Sequence, residues 1–191
     1  MQFFEGQIHM LLGENGTGKT TLASILCGLI QDYEGTLIID NEPIQLQNVL
    51  DAYFNKITIV HQTPILPKNL KVWQGIILGN EPEAVYGLIN KKTAFAEIKK
   101  IASEWNIELP LNAYIYQLSA SQRFFTALLS ALHKKPKYLL LDEPTSSLDL
   151  EQRKHLYSNI DKAVKKGLGI ILITHNVKEA ILYADTISIL K

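Results

Sequence analysis

Eight residues near the start of the chain carry the plainest chemistry: Gly13-Glu14-Asn15-Gly16-Thr17-Gly18-Lys19-Thr20. The spacing G-x-x-x-x-G-K-T is that of a phosphate-binding loop, and it lies between an apolar run that reads as a strand, Ile8–Leu12, and a helical run, Lys19–Leu29. Glycines let the main chain wrap closely around phosphate oxygens with successive N–H groups turned inward. The helix that follows offers its unpaired N–H groups and partial positive charge to the same anion. Lys19 is expected to bridge the β- and γ-phosphates of a nucleotide, and the Thr20 hydroxyl to ligate Mg²⁺, with Thr21 in the same phosphate-binding set. A glycine-rich turn that matched by accident would have no reason to sit between a strand and a helix.

A second group stands far downstream. Tyr138-Leu139-Leu140-Leu141-Asp142-Glu143 is an apolar strand that ends in two carboxylates, and Pro144 then forces the chain out of regular structure. Alone, such an end could simply be a strand meeting solvent. With a phosphate loop upstream, Asp142 is expected to hold Mg²⁺ through its water shell. Glu143 is then placed to orient or deprotonate an attacking water as general base.

The elements that must position these groups follow from the hydrophobic pattern. Short apolar runs read as buried strands at Ile8–Leu12, Thr36–Ile39, Lys56–Val60, Tyr138–Asp142, Gly169–Thr174 and Thr186–Leu190. Helical stretches alternate with them, which predicts an α/β fold with a largely parallel sheet. Residues 68–134 read as helical and strand-poor, a subdomain inserted into a core formed by 1–67 and 135–191, all within one domain spanning 1–191. Within that insertion Phe95, Ile98, Ala102 and Trp105 recur at helical spacing and read as a packing stripe.

Composition narrows the class. Nineteen basic and nineteen acidic residues give zero formal net charge, so no basic field announces nucleic acid. The lone Cys27 lies in an apolar helical run and reads as buried packing. No apolar run reaches the ~18–20 residues that cross a bilayer. The opening Met-Gln-Phe-Phe-Glu-Gly lacks the features of a signal peptide, so a cytosolic location is expected, with any membrane link made through a partner.

Further short motifs fall in a fixed order around the two anchors. Gln62 closes Val60-His61-Gln62; Leu118-Ser119-Ala120-Ser121-Gln122 precedes the acidic strand by about twenty residues; Ser146-Ser147-Leu148-Asp149 follows it; His175 comes after Gly169–Thr174. Together with the loop and the carboxylates, these residues resemble the ABC ATPases over nearly the whole chain. The resemblance implies a phosphate-loop NTPase core with a helical signature subdomain, and ATP and Mg²⁺ as ligands. Gln62 matches the Q-loop glutamine, which ligates Mg²⁺ and senses the γ-phosphate. Ser119, Ser121 and Gln122 stand in the LSGGQ signature, and their helix is expected over about 121–134. Ser146–Asp149 matches the D-loop and His175 the switch histidine, which keeps the water and Glu143 aligned. The family pairs two cassettes head to tail, each signature facing the other's phosphate loop, and couples them to transmembrane permease subunits.

Two departures stand out. Ala120 and Ser121 replace both signature glycines, and each adds a β-carbon where a partner's nucleotide approaches, so hydrolysis at that composite site is in question. Only twelve residues precede Gly13, fewer than the family's N-terminal antiparallel strands and adenine-stacking aromatic occupy. The expectation is that this part is truncated and the chain a fragment or a shortened gene product, with Phe3 and Phe4 matching the stacking residue by type alone.

Leu78-Gly79-Asn80-Glu81-Pro82 and Gly87-Leu88-Ile89-Asn90 resemble segments of sugar and nucleoside importer ATPases. That resemblance implies transport-coupled ATP hydrolysis at the cytoplasmic face of a membrane, peripheral through permease subunits. It implies a second cassette as partner, as a homodimer, a heterodimer or the second half of a fused chain. A soluble ABC ATPase uncoupled from transport, an exporter motor, or a cassette that binds ATP and hardly hydrolyses it are the alternatives. A long coiled-coil insertion or basic arm, either of which would favour the soluble class, is missing from the sequence.

Overall fold

The computed structural model describes residues 1–14, 16–82 and 88–191. Its centre is a five-stranded sheet built from β1 (Ile8–Leu12), β4 (Ile57–Val60), β5 (Tyr138–Asp142), β6 (Gly169–Thr174) and β7 (Thr186–Ile189), in the order β4-β5-β6-β1-β7. Every pairing in it is parallel. Parallel strands need crossovers of a dozen residues or more, and the helices that supply them cover both faces.

Alternation within the strands divides the core. Met10, Leu12, Leu139, Leu141, Ile170 and Leu172 face one side, where they join α3 (Val72–Ile77), α4 (Lys91–Glu104), α5 (Ala120–His133) and α6 (Leu150–Val164). Leu11, Leu140, Ile171 and Ile173 face the other, against α1 (Lys19–Leu26) and α2 (Val49–Phe54). Successive side chains of a strand point to opposite faces, so each strand contributes to both layers. The short α7 (Val177–Tyr183) links β6 to β7. Among the described residues, no helix is long and apolar enough to cross a membrane.

The packing expectations hold. Ile98 and Trp105 are buried, with Phe95 and Ala102 packed against the same cluster. Cys27 is buried and its thiol is pushed up to about 12 by desolvation, which leaves it a small apolar side chain.

The structure corrects the reading at Thr36–Ile39. Only β2 (Leu37–Ile39) forms, and it pairs antiparallel with β3 (Glu42–Ile44) in a separate hairpin, with Ile38 exposed. Asp40 and Asn41 make the two-residue turn with φ of 53° and 67°, the double positive φ of a type I′ hairpin. β3 escapes a hydrophobic scan because Glu-Pro-Ile has neither an apolar run nor alternation. Helix limits shift as well. α1 stops at Leu26, with Gly28 at φ 69° turning the chain, and the signature helix starts at Ala120 and ends at His133.

Candidate nucleotide-binding site

Because all five strands of the sheet run in one direction, their C-terminal ends share one edge, where ligands of open α/β sheets bind. β1 delivers Gly13, β4 delivers His61 and Gln62, β5 delivers Asp142 and Glu143, and β6 delivers His175. β6 lies between β1 and β5, so the histidine strand separates the loop strand from the acidic strand. Gly16, Gly18, Lys19, Thr20, Thr21, Gln62, Asp142 and Glu143 line one cleft of about 240 Å³. Residues separated by more than a hundred positions in sequence therefore meet, as their types predict.

The loop has the backbone its glycines permit. Gly16 and Gly18 have φ of 85° and 87°, a region L side chains rarely adopt. Gly18 is the N-cap of α1 and supplies no side-chain cap, so the first N–H groups of the helix gain no side-chain partner there. Lys19 is buried; its Nζ donates to the carbonyl oxygens of Gly13 at 2.8 Å and Glu14 at 2.6 Å. The ammonium thus spans the loop from inside. Thr17 Oγ1 donates to the Glu14 carbonyl at 3.0 Å, a further tie across the turn. Gly13 is required for a different reason: a β-carbon there would lie 2.7 Å from the Leu190 carbonyl oxygen and 2.5 Å from Thr17 Oγ1. Asn15 lies outside the described residues, as does Gly87.

On the opposite wall, Asp142 is buried and desolvation raises its pKa. Glu143 adds to the rise, while His61 and Lys19 oppose it. A carboxylate in that position gains from any cation that approaches it. Glu143 has φ 47°, a left-handed backbone that costs a non-glycine residue roughly 1–2 kcal/mol. Its N–H donates to the Ile173 carbonyl at 2.9 Å, which fixes the turn on β6. Its Oε1 accepts from the His175 backbone N–H at 3.1 Å and lies 2.7 Å from His175 Nδ1. The two side chains are therefore in contact, and that of His175 is otherwise exposed.

Ser119, Ser121 and Gln122 do not enter this cleft. They line a separate, more open cavity of about 600 Å³, together with Asp149 and Gln152. Ser119 is the N-cap of α5: its Oγ accepts from Gln122 N–H at 3.2 Å, and Gln122 Oε1 accepts from Ser119 N–H at 3.0 Å. This is a closed capping box. The Ser121 hydroxyl lies 3.2 Å from Ser119 Oγ, a contact a glycine could not make. Asp149 closes an equivalent box with Gln152 at the start of α6. Phe3 packs edge-on against His9, with ring centroids 4.7 Å apart, and Phe4 is exposed; neither lines the loop cleft.

Sequence reasoning passed over three residues behind the carboxylates. Glu179 of α7 is buried, and its Oε2 accepts from Tyr157 Oη at 2.8 Å and from Thr145 Oγ1 at 3.3 Å. A glutamate directly before a core alanine, Ala180, was the available signal. Asn80, noted only as part of a segment, accepts from Tyr53 Oη at 3.2 Å and donates to the His133 carbonyl at 3.2 Å, which ties α2 to α5.

Comparison with known proteins finds relatives over nearly the whole chain. The chain is 32% identical over 186 residues to a ribose import ATP-binding protein of Hahella chejuensis, covering 97% of this chain and 37% of that protein. It is 35% identical over 188 residues to a xylose import ATP-binding protein of Thermoanaerobacter pseudethanolicus, with the same shares of 97% and 37%. It therefore spans little more than a third of the length of either curated relative. Among solved structures, cbiO1 from Clostridium perfringens, part of an ABC transporter complex, superposes with a TM-score of 0.81 at 28% identity, over 100% of this chain and 76% of that one. The profile that describes the ABC transporter family matches residues 1–146, about three quarters of the sequence, and the chain belongs to that family.

Proposed function

We propose that this chain binds and hydrolyses ATP as the nucleotide-binding cassette of an ABC importer. The observation that carries the reading is the meeting of Lys19, the phosphate loop, Gln62, Asp142 and Glu143 on one cleft at the C-terminal edge of the sheet. Gly13, Glu14, Asn15, Gly16, Thr17, Gly18, Lys19, Thr20 and Thr21 are assigned to the triphosphate. Backbone N–H groups and the α1 N-terminus supply the donors, and Lys19 can exchange its carbonyl partners for phosphate oxygens. Magnesium fits the donor set: Thr20, Gln62 and Asp142 offer only oxygen ligands, and Mg²⁺ is ordinarily held by one or two carboxylates plus substrate phosphate oxygens. When bound, the ion neutralises charge on the phosphates. Glu143 is the general base, with one carboxylate oxygen on His175 and the other, among the described residues, without a partner and open to a proton from water. His175 is assigned to keep that carboxylate and the water aligned.

Residues 68–134 are taken as the helical subdomain and 1–67 with 135–191 as the nucleotide core. The separate cavity at Ser119, Ser121 and Gln122 suits a signature that serves a second cassette, in a homodimer, heterodimer or fused chain. The importer assignment rests on the likeness to the ribose and xylose import proteins, and it places the cassette at the cytoplasmic face of a membrane, held by permease subunits. A sugar or nucleoside is the proposed cargo.

Titration of the chain with Mg-ATP, followed by steady-state hydrolysis, tests the site. Glu143→Gln is expected to leave nucleotide affinity unchanged and to lower turnover by about 10²–10⁴-fold. No heat of binding to the folded protein, or wild-type turnover in that variant, overturns the assignment.

A further inference from the structure

The carboxylate of Glu179 is buried and, among the described residues, no lysine, arginine or histidine forms an ion pair with it. A buried carboxylate is costly unless hydrogen-bonded, and both of its donors are neutral hydroxyls, Tyr157 Oη and Thr145 Oγ1. The bond to Tyr157 has a plain packing role. Tyr157 stacks on Tyr183 with ring centroids 3.9 Å apart, so this contact clamps α7 to α6.

The bond to Thr145 does more, because of where its two ends lie. Thr145 is two residues after Glu143. Glu179 is four residues after His175, and the short stretch between is cross-linked by hydrogen bonds. Thr174 Oγ1 accepts from Asn176 N–H at 3.0 Å, and Asn176 Oδ1 accepts from the N–H groups of Lys178 at 3.1 Å and Glu179 at 3.4 Å. With the Glu143–His175 contact, the connections close into a ring: Glu143, Thr145, Glu179, Asn176, His175 and back to Glu143. The strained φ of 47° at Glu143 lies inside that ring, and strain of this kind persists only where the surroundings over-determine it. β6 holds Glu143 through the Ile173 carbonyl. The second hold, two residues on, is Glu179.

We propose that Glu179 is a positioning residue for hydrolysis: by accepting from Thr145 while held on α7, it fixes the Glu143–Thr145 turn relative to His175. It does not line the cleft and acts through Glu143. This rests on the assignment of the cleft to ATP hydrolysis. The phosphate loop lies between β1 and α1, and among the described residues it forms no hydrogen bond with the ring, so the proposal separates chemistry from binding.

Three variants of the full chain test it, by turnover, nucleotide affinity and amide hydrogen exchange measured without nucleotide. Thr145→Val and Glu179→Ala should each lower kcat roughly 10- to 100-fold, the scale of a 1 Å misplacement, with affinity for Mg-ATP unchanged. Glu179→Gln keeps an amide oxygen that can accept from both hydroxyls, and should restore turnover to within about threefold of wild type, since only neutral hydrogen bonds are altered. The N–H groups of Glu143 and His175 should exchange faster in Thr145→Val and Glu179→Ala than in wild type, and this readout needs no activity. Unchanged exchange at those two amides overturns the proposal, as does an equal loss of affinity and turnover in Thr145→Val. If Glu179→Ala does not fold, Thr145→Val and Glu179→Gln decide the matter alone. Should Glu143→Gln turn over like wild type, the catalytic assignment fails, while the exchange measurement still reports whether Glu179 holds the turn.

Discussion

Two helix beginnings in this chain are assigned to nucleotide motifs, and they are finished in opposite ways. α1 starts at Gly18, which has no side chain, and the loop before it takes up left-handed backbone at Gly16 and Gly18. α5 starts at Ser119, whose hydroxyl and the Gln122 carboxamide satisfy each other's backbone N–H groups. The first helix leaves its donors for an incoming anion; the second answers its own. A helix N-terminus attracts anions in general, but the donors must be uncommitted to serve as a strong site. Sequence type alone therefore ranks the two: glycine before lysine leaves donors open to an anion, and Ser-x-x-Gln makes a cap that any incoming anion must compete with.

The comparison can be broken by substitution, and the largest effect is expected at the first helix. Lys19→Ala removes the charge that spans the loop and should weaken Mg-ATP binding by about 10- to 100-fold, the cost of losing a charged hydrogen bond. Equal affinity in a calorimetric titration would mean that backbone donors alone hold the nucleotide. At the second helix the larger change should fall on stability. Ser119→Ala opens the capping box and is expected to cost about 1 kcal/mol, read as a lower denaturant midpoint with unchanged slope. The binding of nucleotide to the isolated chain should not change. The smallest effect sharpens the contrast: Ser121→Gly deletes a β-carbon and the hydroxyl contact to Ser119, and turnover should rise about two- to threefold if that bulk hinders closure against a second cassette, at a stability cost of up to about 1 kcal/mol for glycine in a helix. Turnover that stays level would mean the serine is accommodated.

The parts of the molecule differ in how far their sequence reveals them. β1, β5 and β6 were legible because each is a short, mainly apolar run, broken in β1 only by His9, and buried parallel strands favour that pattern. The loop and the two carboxylates were legible because their chemistry restricts residue type at fixed spacing. β3 was not, since Glu42-Pro43-Ile44 is defined by the turn before it rather than by its own composition. The Glu179 ring was not legible either. It depends on α6, α7 and the chain after β5 meeting in space, and no spacing in the sequence encodes that a threonine and a tyrosine share one carboxylate oxygen. Ser119, Ser121 and Gln122 line a cavity apart from the cleft, on α5, which packs with α3 and α4 over one face of the sheet.

Gly13 marks where the first strand meets the last. With the Leu190 carbonyl less than 3 Å from where its β-carbon would stand, the loop's entrance is shaped by β7 as much as by β1. A shift of β7 by the width of one methyl group would therefore reach the loop after β1 with no helix in between, and even alanine at Gly13 would wedge open a seam that backbone pairing otherwise keeps shut.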